Sequence, residues 1–412
     1  MTITPDWTTF GLRGMPSMSA RQGMDQTPPF FQAMFDAINA SVAQPLRGIT
    51  TDGTLIDGLF RLGATGRGTA PITDAAHAFL GTLDAEHRSR AVFPLEATEK
   101  RMWFNIHPYV FRHGVMLEDL SVAQREAGLG VLRASLSARG FTQARDIMRL
   151  NGLLVEITGR DADFGEWPYF LSFYGEPSAE RPWAWQIDGH HLSLNCVVIG
   201  DQFVFTPSFM GSEPCKVTSG PLAGVEVMGP EQHAGLAFMR SLNDDQARAA
   251  TLYPSIAPDV LPRELQDLVD GRMQVGAFKD NAVIPYTGVA ATGLSDAQRS
   301  LLRTLIGTYV GWARDEHAAV TMEAIDAHID ETWFVWMGST GDDGPFYYRV
   351  HNPVVLIEFD HHPGVVFDNT MPGPHHIHSI LRTPNGGDYG VDLLRQHHAQ
   401  FDHSHGRHDP RS

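Results

Sequence analysis

Cysteine is nearly missing from this chain: Cys196 and Cys215 are the only two among 412 residues. Two thiols cannot build a disulfide scaffold, and their spacing fits no four-thiolate zinc site, so both read as buried core thiols. Basic runs are scarce as well. A formal net charge of −17, with no basic stretch longer than a few residues, argues against sequence-independent binding to nucleic acid or anionic lipid. A small-molecule substrate is the expected partner, and a homo-oligomer stays open. No segment approaches the ~20 consecutive apolar residues of a membrane-spanning helix. The first residues, "MTITPDWTTFGLRGMPSMSARQGMD", carry no apolar stretch after their charges, so no secretory signal is readable and the cytoplasm is the expected location, a processed signal aside.

What remains is ordinary globular composition, 42% hydrophobic and 19% charged. The length suits two domains or one large domain with insertions, and either buries roughly three quarters of the unfolded surface. Residues 1–70, rich in Gly, Pro and Thr, read as an irregular arm holding one amphipathic piece, "PFFQAMFDAINASVAQP". A single α+β domain is expected over 71–398, helical over 71–180 and mixed over 181–398, with a histidine-rich tail over 399–412. Ser121 and Ser295 stand three residues before Gln124 and Gln298, the spacing of a capping box at two helix starts. "HHLSLNCVVIGDQFVFTPSF" alternates and turns at "IGDQ", predicting a hairpin near 185–207. Helical spacing returns over 231–250, 261–275 and 295–313. Strand patterns follow in "ETWFVWMGS", "FYYRV", "VVLIEFD" and "HHIHSIL", with hairpins near 346–381. Helices beside an antiparallel sheet make the class α+β.

Strand alternation sorts the residues able to do chemistry. In "VVLIEFD" Glu358 and Asp360 share one face, and in "HHIHSIL" His376 and His378 share one face while His375 takes the other. A hairpin centred near residue 368 sets Glu358 across from His378 and Asp360 across from His376. Imidazole with carboxylate is the ligand set of catalytic zinc and of two-histidine, one-carboxylate iron or manganese sites. In "WQIDGHHLSLN" His191 lies on a polar face with Ser193 and Asn195, a ligand or a general acid/base; His190 reads as packed among leucines, and Asp188 as orienting an imidazole or as a plain turn residue. Glu213 falls in a "GSEP" turn. Arg349 and Arg382 could each clamp a substrate anion, or Arg382 could pair with Asp388 or Asp392. His107 reads as a core residue, and the histidine-rich tail as an adventitious metal binder.

Five ordered segments, "WAWQIDGHHLSLN", "TPSFMGSEP", "GPFYYRV", "VVLIEFD" and "HHIHSILRTPNGGDYGVDLL", resemble a bacterial and fungal family called domain of unknown function 3500. Its members read W-x-EGHHLSLN, TP-x-F-x-GANP, YYRIQGP, LIEYDN and NHIHSVWRD-x-x-FG-x-DLL. The resemblance runs from about 73 to 398 and puts His190, His191, Glu358, Asp360, His376, His378, Arg382 and Asp388 on motif positions. The chain departs from the pattern with Asp188 for Glu, with "GSEP" for "GANP", and with His361 and His362 where the family has Asn-Thr-Gln, so the 361–374 loop is expected to reshape the pocket.

These readings converge on a metal-dependent enzyme. One divalent ion, zinc, iron or manganese, is expected on His376 and His378 with Glu358 or His191, and a metal-activated water would attack a small carbonyl substrate. Asp360 or the remaining histidine would move the proton, and Asp188, His190 and Asp388 would support the ligands. The same ligands would also serve a non-haem iron oxygenase or a lyase. The non-enzymatic alternative is a metal- or ligand-binding protein with a structural cluster.

Overall fold

The computed structural model describes residues 17–26, 28–267, 269–367 and 369–401. The start of the arm and most of the histidine-rich tail lie outside the described residues. Among the described residues one mostly antiparallel sheet carries thirteen strands. Its central run, in spatial order, is Phe170–Tyr174, Trp183–Gly189, Leu192–Ile199, Ser208–Ser212, Pro372–Arg382, Leu356–Pro363, Phe346–His351 and Trp333–Gly338. The class is α+β. No described helix is long and apolar enough to cross a membrane.

The strands form where Val, Ile, Phe, Tyr and Trp concentrate, and nearly all of their residues are buried, so both sheet faces are covered. One face carries Leu171, Ile187, Leu194, Met210, Ile377, Phe359 and Tyr348. It packs against helices Val122–Ser135, Ala138–Thr158, Gly229–Ser241 and Asp296–Val310 in the largest apolar cluster. The capping boxes at Ser121 and Ser295 are formed, and Gly159 ends the Ala138–Thr158 helix in the left-handed conformation (φ 68°). The other face is polar at its centre. It is covered by helix Pro29–Val42, the 101–111 segment and the 267–284 loop, whose apolar residues Met34, Phe35, Trp103, Phe104, Met273 and Val275 join Phe209, Leu356 and Ile380.

Three expectations change. The helix expected over 261–275 is only the single turn Arg263–Leu265, followed by a loop. In that loop the N–H groups of Arg272, Gln274 and Val275 donate to the carboxylates of Asp360 and Glu358, and so cannot close helical turns. A helix at Asp315–Ala327 escaped the reading because no side chain caps its start at Arg314. Finally, the Leu356–Pro363 and Pro372–Arg382 strands pair two residues away from the expected register. Asp360 lies across from His378, and Glu358 across from Ile380. A slip of two keeps the face, so the residues expected together still share one side of the sheet.

His351, at the end of its strand, is buried edge-on to Tyr286, and among the described residues neither ring nitrogen has a hydrogen-bond partner. Burial, aided by Arg349, pushes its pKa from 6.5 down to about 3. Above pH 6.5 neither the folded nor the unfolded chain protonates it. Below that, the unfolded chain takes up the proton first, so stability falls as pH falls toward about 3. Urea denaturation should show His351→Phe losing about 1 kcal/mol less than wild type between pH 6.5 and 5.5, from the slope of about 1.4 kcal/mol per unit for one proton. An unchanged slope would contradict this assignment.

Candidate metal centre

The polar face is organised in rows that cross the strands. Tyr347, Asp360, His378 and Gly211 are successive cross-strand partners, and Gly211 N–H donates to the His191 carbonyl at 2.9 Å, so His191 ends the row. His376 stands two residues from His378 on the same face. A Cβ on Gly211 would meet the Ile377 carbonyl at 2.5 Å and the His378 ring at 3.1 Å, so only glycine lets these rings approach. His191 is a non-glycine residue at φ 63°, a conformation that costs on the order of 1–3 kcal/mol. Its N–H donates to the Asn105 carbonyl at 2.8 Å, which holds it there.

The result is a convergence of three ring nitrogens. His191 Nε2 is 3.1 Å from His376 Nε2, which is 2.9 Å from His378 Nε2, and all three side chains are buried. His376 Nδ1 lies 2.7 Å from the Pro363 carbonyl. A carbonyl can only accept, so Nδ1 carries a proton, and in the neutral ring Nε2 then presents a lone pair. Burial pushes the pKa values of His191 and His378 well below 6.5, keeping both rings neutral. A metal at 2.0–2.1 Å from two imidazole nitrogens separates them by about 2.9 Å at a right angle and about 3.4 Å at a tetrahedral angle. The two separations from His376 Nε2 lie in this range and all three donor atoms lie within 4.8 Å of one another, so the donor set suits one ion.

The carboxylates expected as ligands sit on the same face but are engaged elsewhere. Glu358 accepts from the backbone N–H groups of Gln274 and Val275 at 2.9 and 3.0 Å and from the Tyr347 hydroxyl at 2.6 Å. Asp360 forms a buried two-pronged ion pair with Arg272, at 2.6 and 2.7 Å, and also accepts from the Arg272 N–H. The anion held near the histidines is instead Glu213, buried, with a carboxylate oxygen 3.5 Å from His376 Nδ1. The N–H groups of Val365, Val366 and Phe367 donate to it. His362, on the same face, puts its ring 4.6 Å from that of His378 and 4.8 Å from that of His376. Extending the alternation of "VVLIEFD" by two residues would have found His362, whereas the turn position of Glu213 gave no sign of burial. Arg272 was hidden by the helical reading of its loop.

Other expected residues are dispersed. His190 stacks on His191 with ring centroids 4.0 Å apart, and its Nδ1 donates to Asn151 Oδ1 at 2.8 Å. Asp188 faces away from both, toward His107. Arg349 donates to Gln274 Oε1 and Thr287 Oγ1. Arg382, fully buried, donates to Asp388 at 2.7 Å and Asp280 at 2.8 Å, while Asp280 also accepts from Arg101. These arginines tie loops to the sheet and do not point at the histidines.

The chain belongs to the family described as protein of unknown function (DUF3500), whose model matches residues 65–391. No curated protein and no solved structure matches it.

Because Arg382 neutralises two buried carboxylates, Arg382→Met should lower unfolding free energy by about 3–5 kcal/mol. Chemical denaturation measures this directly, and a loss under 1 kcal/mol would mean that the Asp280 and Asp388 contacts are not made in solution.

Proposed function

We propose that the protein is a metal-dependent hydrolase of small carbonyl compounds, with one divalent ion on His191, His376 and His378. The observation that carries this reading is the convergence of three buried imidazoles, with His376 Nε2 3.1 Å from His191 Nε2 and 2.9 Å from His378 Nε2. Three protein ligands leave a coordination position for water or substrate, as catalytic sites do and closed structural sites do not. When bound, the ion would lower the pKa of a water and polarise a carbonyl oxygen.

The chain's own residues have separable parts in this reading. The Pro363 carbonyl fixes the tautomer of His376, the outer contact that orients a ligand imidazole. Glu213 supplies a negative charge beside that ring without occupying a ligand position. His362, whose pKa burial holds well below 6.5, is neutral at pH 7 and is a further imidazole beside both His376 and His378 able to accept a proton. His190, packed between His191 and the rings of Tyr109 and Phe164, supports the His191 imidazole from behind. With Arg349 and Arg382 engaged elsewhere, the reading favours a substrate recognised without an arginine clamp.

A second reading rests on the spacing. Nitrogen separations of 2.9–3.1 Å approach the right-angle value of about 2.9 Å, which favours facial coordination of iron or manganese and oxygen chemistry. Metal analysis of the full-length chain, purified without an affinity tag and with His403, His405 and His408 replaced by alanine, tests both. The expected result is a tightly held ion that depends on His191, His376 and His378, with ester or lactone hydrolysis falling at least 100-fold in His376→Ala/His378→Ala. A metal content left unchanged by the double substitution would sink the site. Iron with oxygen uptake and no hydrolysis would replace the first reading with the second.

A further inference from the structure

A second cluster of metal-ligating side chains includes His107, two residues after Asn105, whose carbonyl accepts from His191 N–H. His107 opens the short helix His107–Val110, His113 precedes the Val115–Met116 strand, and Asp188 closes the row in which Phe170, Asp188 and Ser193 are cross-strand partners. One donor atom from each of His107, His113 and Asp188 lies within 4.8 Å of the others, and His107 Nδ1 is 4.0 Å from Asp188 Oδ2. His107 is 0% and Asp188 1% exposed.

What distinguishes the cluster is its unmet polar demand. Among the described residues, His107 Nδ1 and Nε2, His113 Nε2, Asp188 Oδ1 and Ser172 Oγ are buried with no partner in good hydrogen-bond geometry, although Met102 approaches His107, Gln186 approaches His113, Ser193 approaches Asp188 and Tyr174 approaches Ser172. Native interiors rarely leave so many polar atoms unmatched in one place, because each costs about 1–3 kcal/mol. Ser172 pairs with Gln186 on the same sheet face as Asp188, and its hydroxyl points to the 113–114 corner, where a Cβ on Gly114 would meet it at 2.5 Å. The surroundings are apolar, with the rings of Phe111 and Phe170 5.6 and 5.3 Å from that of His107, and Phe93 6.2 Å from His113. The nearby Arg112 guanidinium is occupied by the carbonyls of Ala20, Arg21 and Pro108.

We infer that His107, His113 and Asp188 bind a second divalent transition-metal ion of the zinc class. Two imidazoles and a carboxylate are a zinc ligand set, and a tetrahedral ion would need the 4.0 Å pair to close by about 0.6 Å. A cation would also give the buried Asp188 carboxylate a counter-charge. The site braces the first one. Ile106 bridges to His190, and the Asn105 carbonyl accepts from His191 N–H, so the segment that carries His107 holds the strained turn that presents His191.

The test is zinc stoichiometry, by plasma mass spectrometry after zinc loading and dialysis, in the full-length chain lacking His403, His405 and His408. Two equivalents are expected in that parent, one in Asp188→Asn or His113→Ala, one in His376→Ala/His378→Ala, and none when both sites are substituted. The zinc retained by His376→Ala/His378→Ala should raise the thermal midpoint above that of the metal-stripped form. A parent with one equivalent that vanishes in His376→Ala/His378→Ala overturns this inference and leaves the proposed hydrolase centre standing. A parent with one equivalent that vanishes only in Asp188→Asn supports this inference and removes that centre. If Asp188→Asn fails to fold by circular dichroism, anomalous diffraction from the zinc-loaded parent decides. A zinc peak within about 2.2 Å of His107, His113 and Asp188 supports the site, and a water there overturns it.

Discussion

The polar face of this sheet depends on how the buried charges of Glu358 and Asp360 are neutralised. Both carboxylates are 0% exposed, and an unpaired carboxylate there would cost several kcal/mol. The 267–284 loop solves this by giving up helical hydrogen bonds and directing the Arg272 guanidinium and the N–H groups of residues 272, 274 and 275 at the sheet. The same loop brings Asp280 to Arg101 and Arg382, so one irregular segment locks three buried ionic contacts. The face can then close over with apolar residues, and the histidines beside the carboxylates lie in a dry, neutral environment.

That environment is what gives the histidine group its chemical character. An imidazole in water near pH 6.5 divides between charged and neutral forms, whereas burial holds His191, His362 and His378 neutral well below that pH. Rings with Nε2 atoms 2.9–3.1 Å apart could not be packed this closely if more than one were charged. Burial also removes competing water, so the lone pairs are directed at one another or at a shared cation. Glu213 meets the remaining electrostatic demand from behind, held by three backbone amides of the 365–367 turn.

Much of the fold was legible because it follows local rules. Ser121 with Gln124 and Ser295 with Gln298 start helices wherever they occur, and "HHLSLNCVVIGDQF" alternates and turns as a hairpin must. The helix at Asp315–Ala327 and the 267–284 loop were not legible, for opposite reasons. The helix lacks a capping signal, while the loop carries helical spacing that distant carboxylates override. Asp188 shows the same limit at the level of a single residue. Its place before "GHH" suggested support for His190 or His191, but strand twist and register turn it to His107, more than eighty positions earlier.

The sequence by itself determined which residues share a face, because side-chain alternation is a property of each strand alone. It therefore grouped His376 with His378, separated His375, and put His191 on a polar side. Only the tertiary structure decided which of those face-mates meet. A two-residue change of register moved Glu358 away from His378, and the loop's amides and Arg272 engaged both carboxylates, so that His191, from another part of the sheet, completes the group. Register and loop placement are set by the summed burial of charge and apolar surface across the whole sheet, a quantity that no local window of sequence contains.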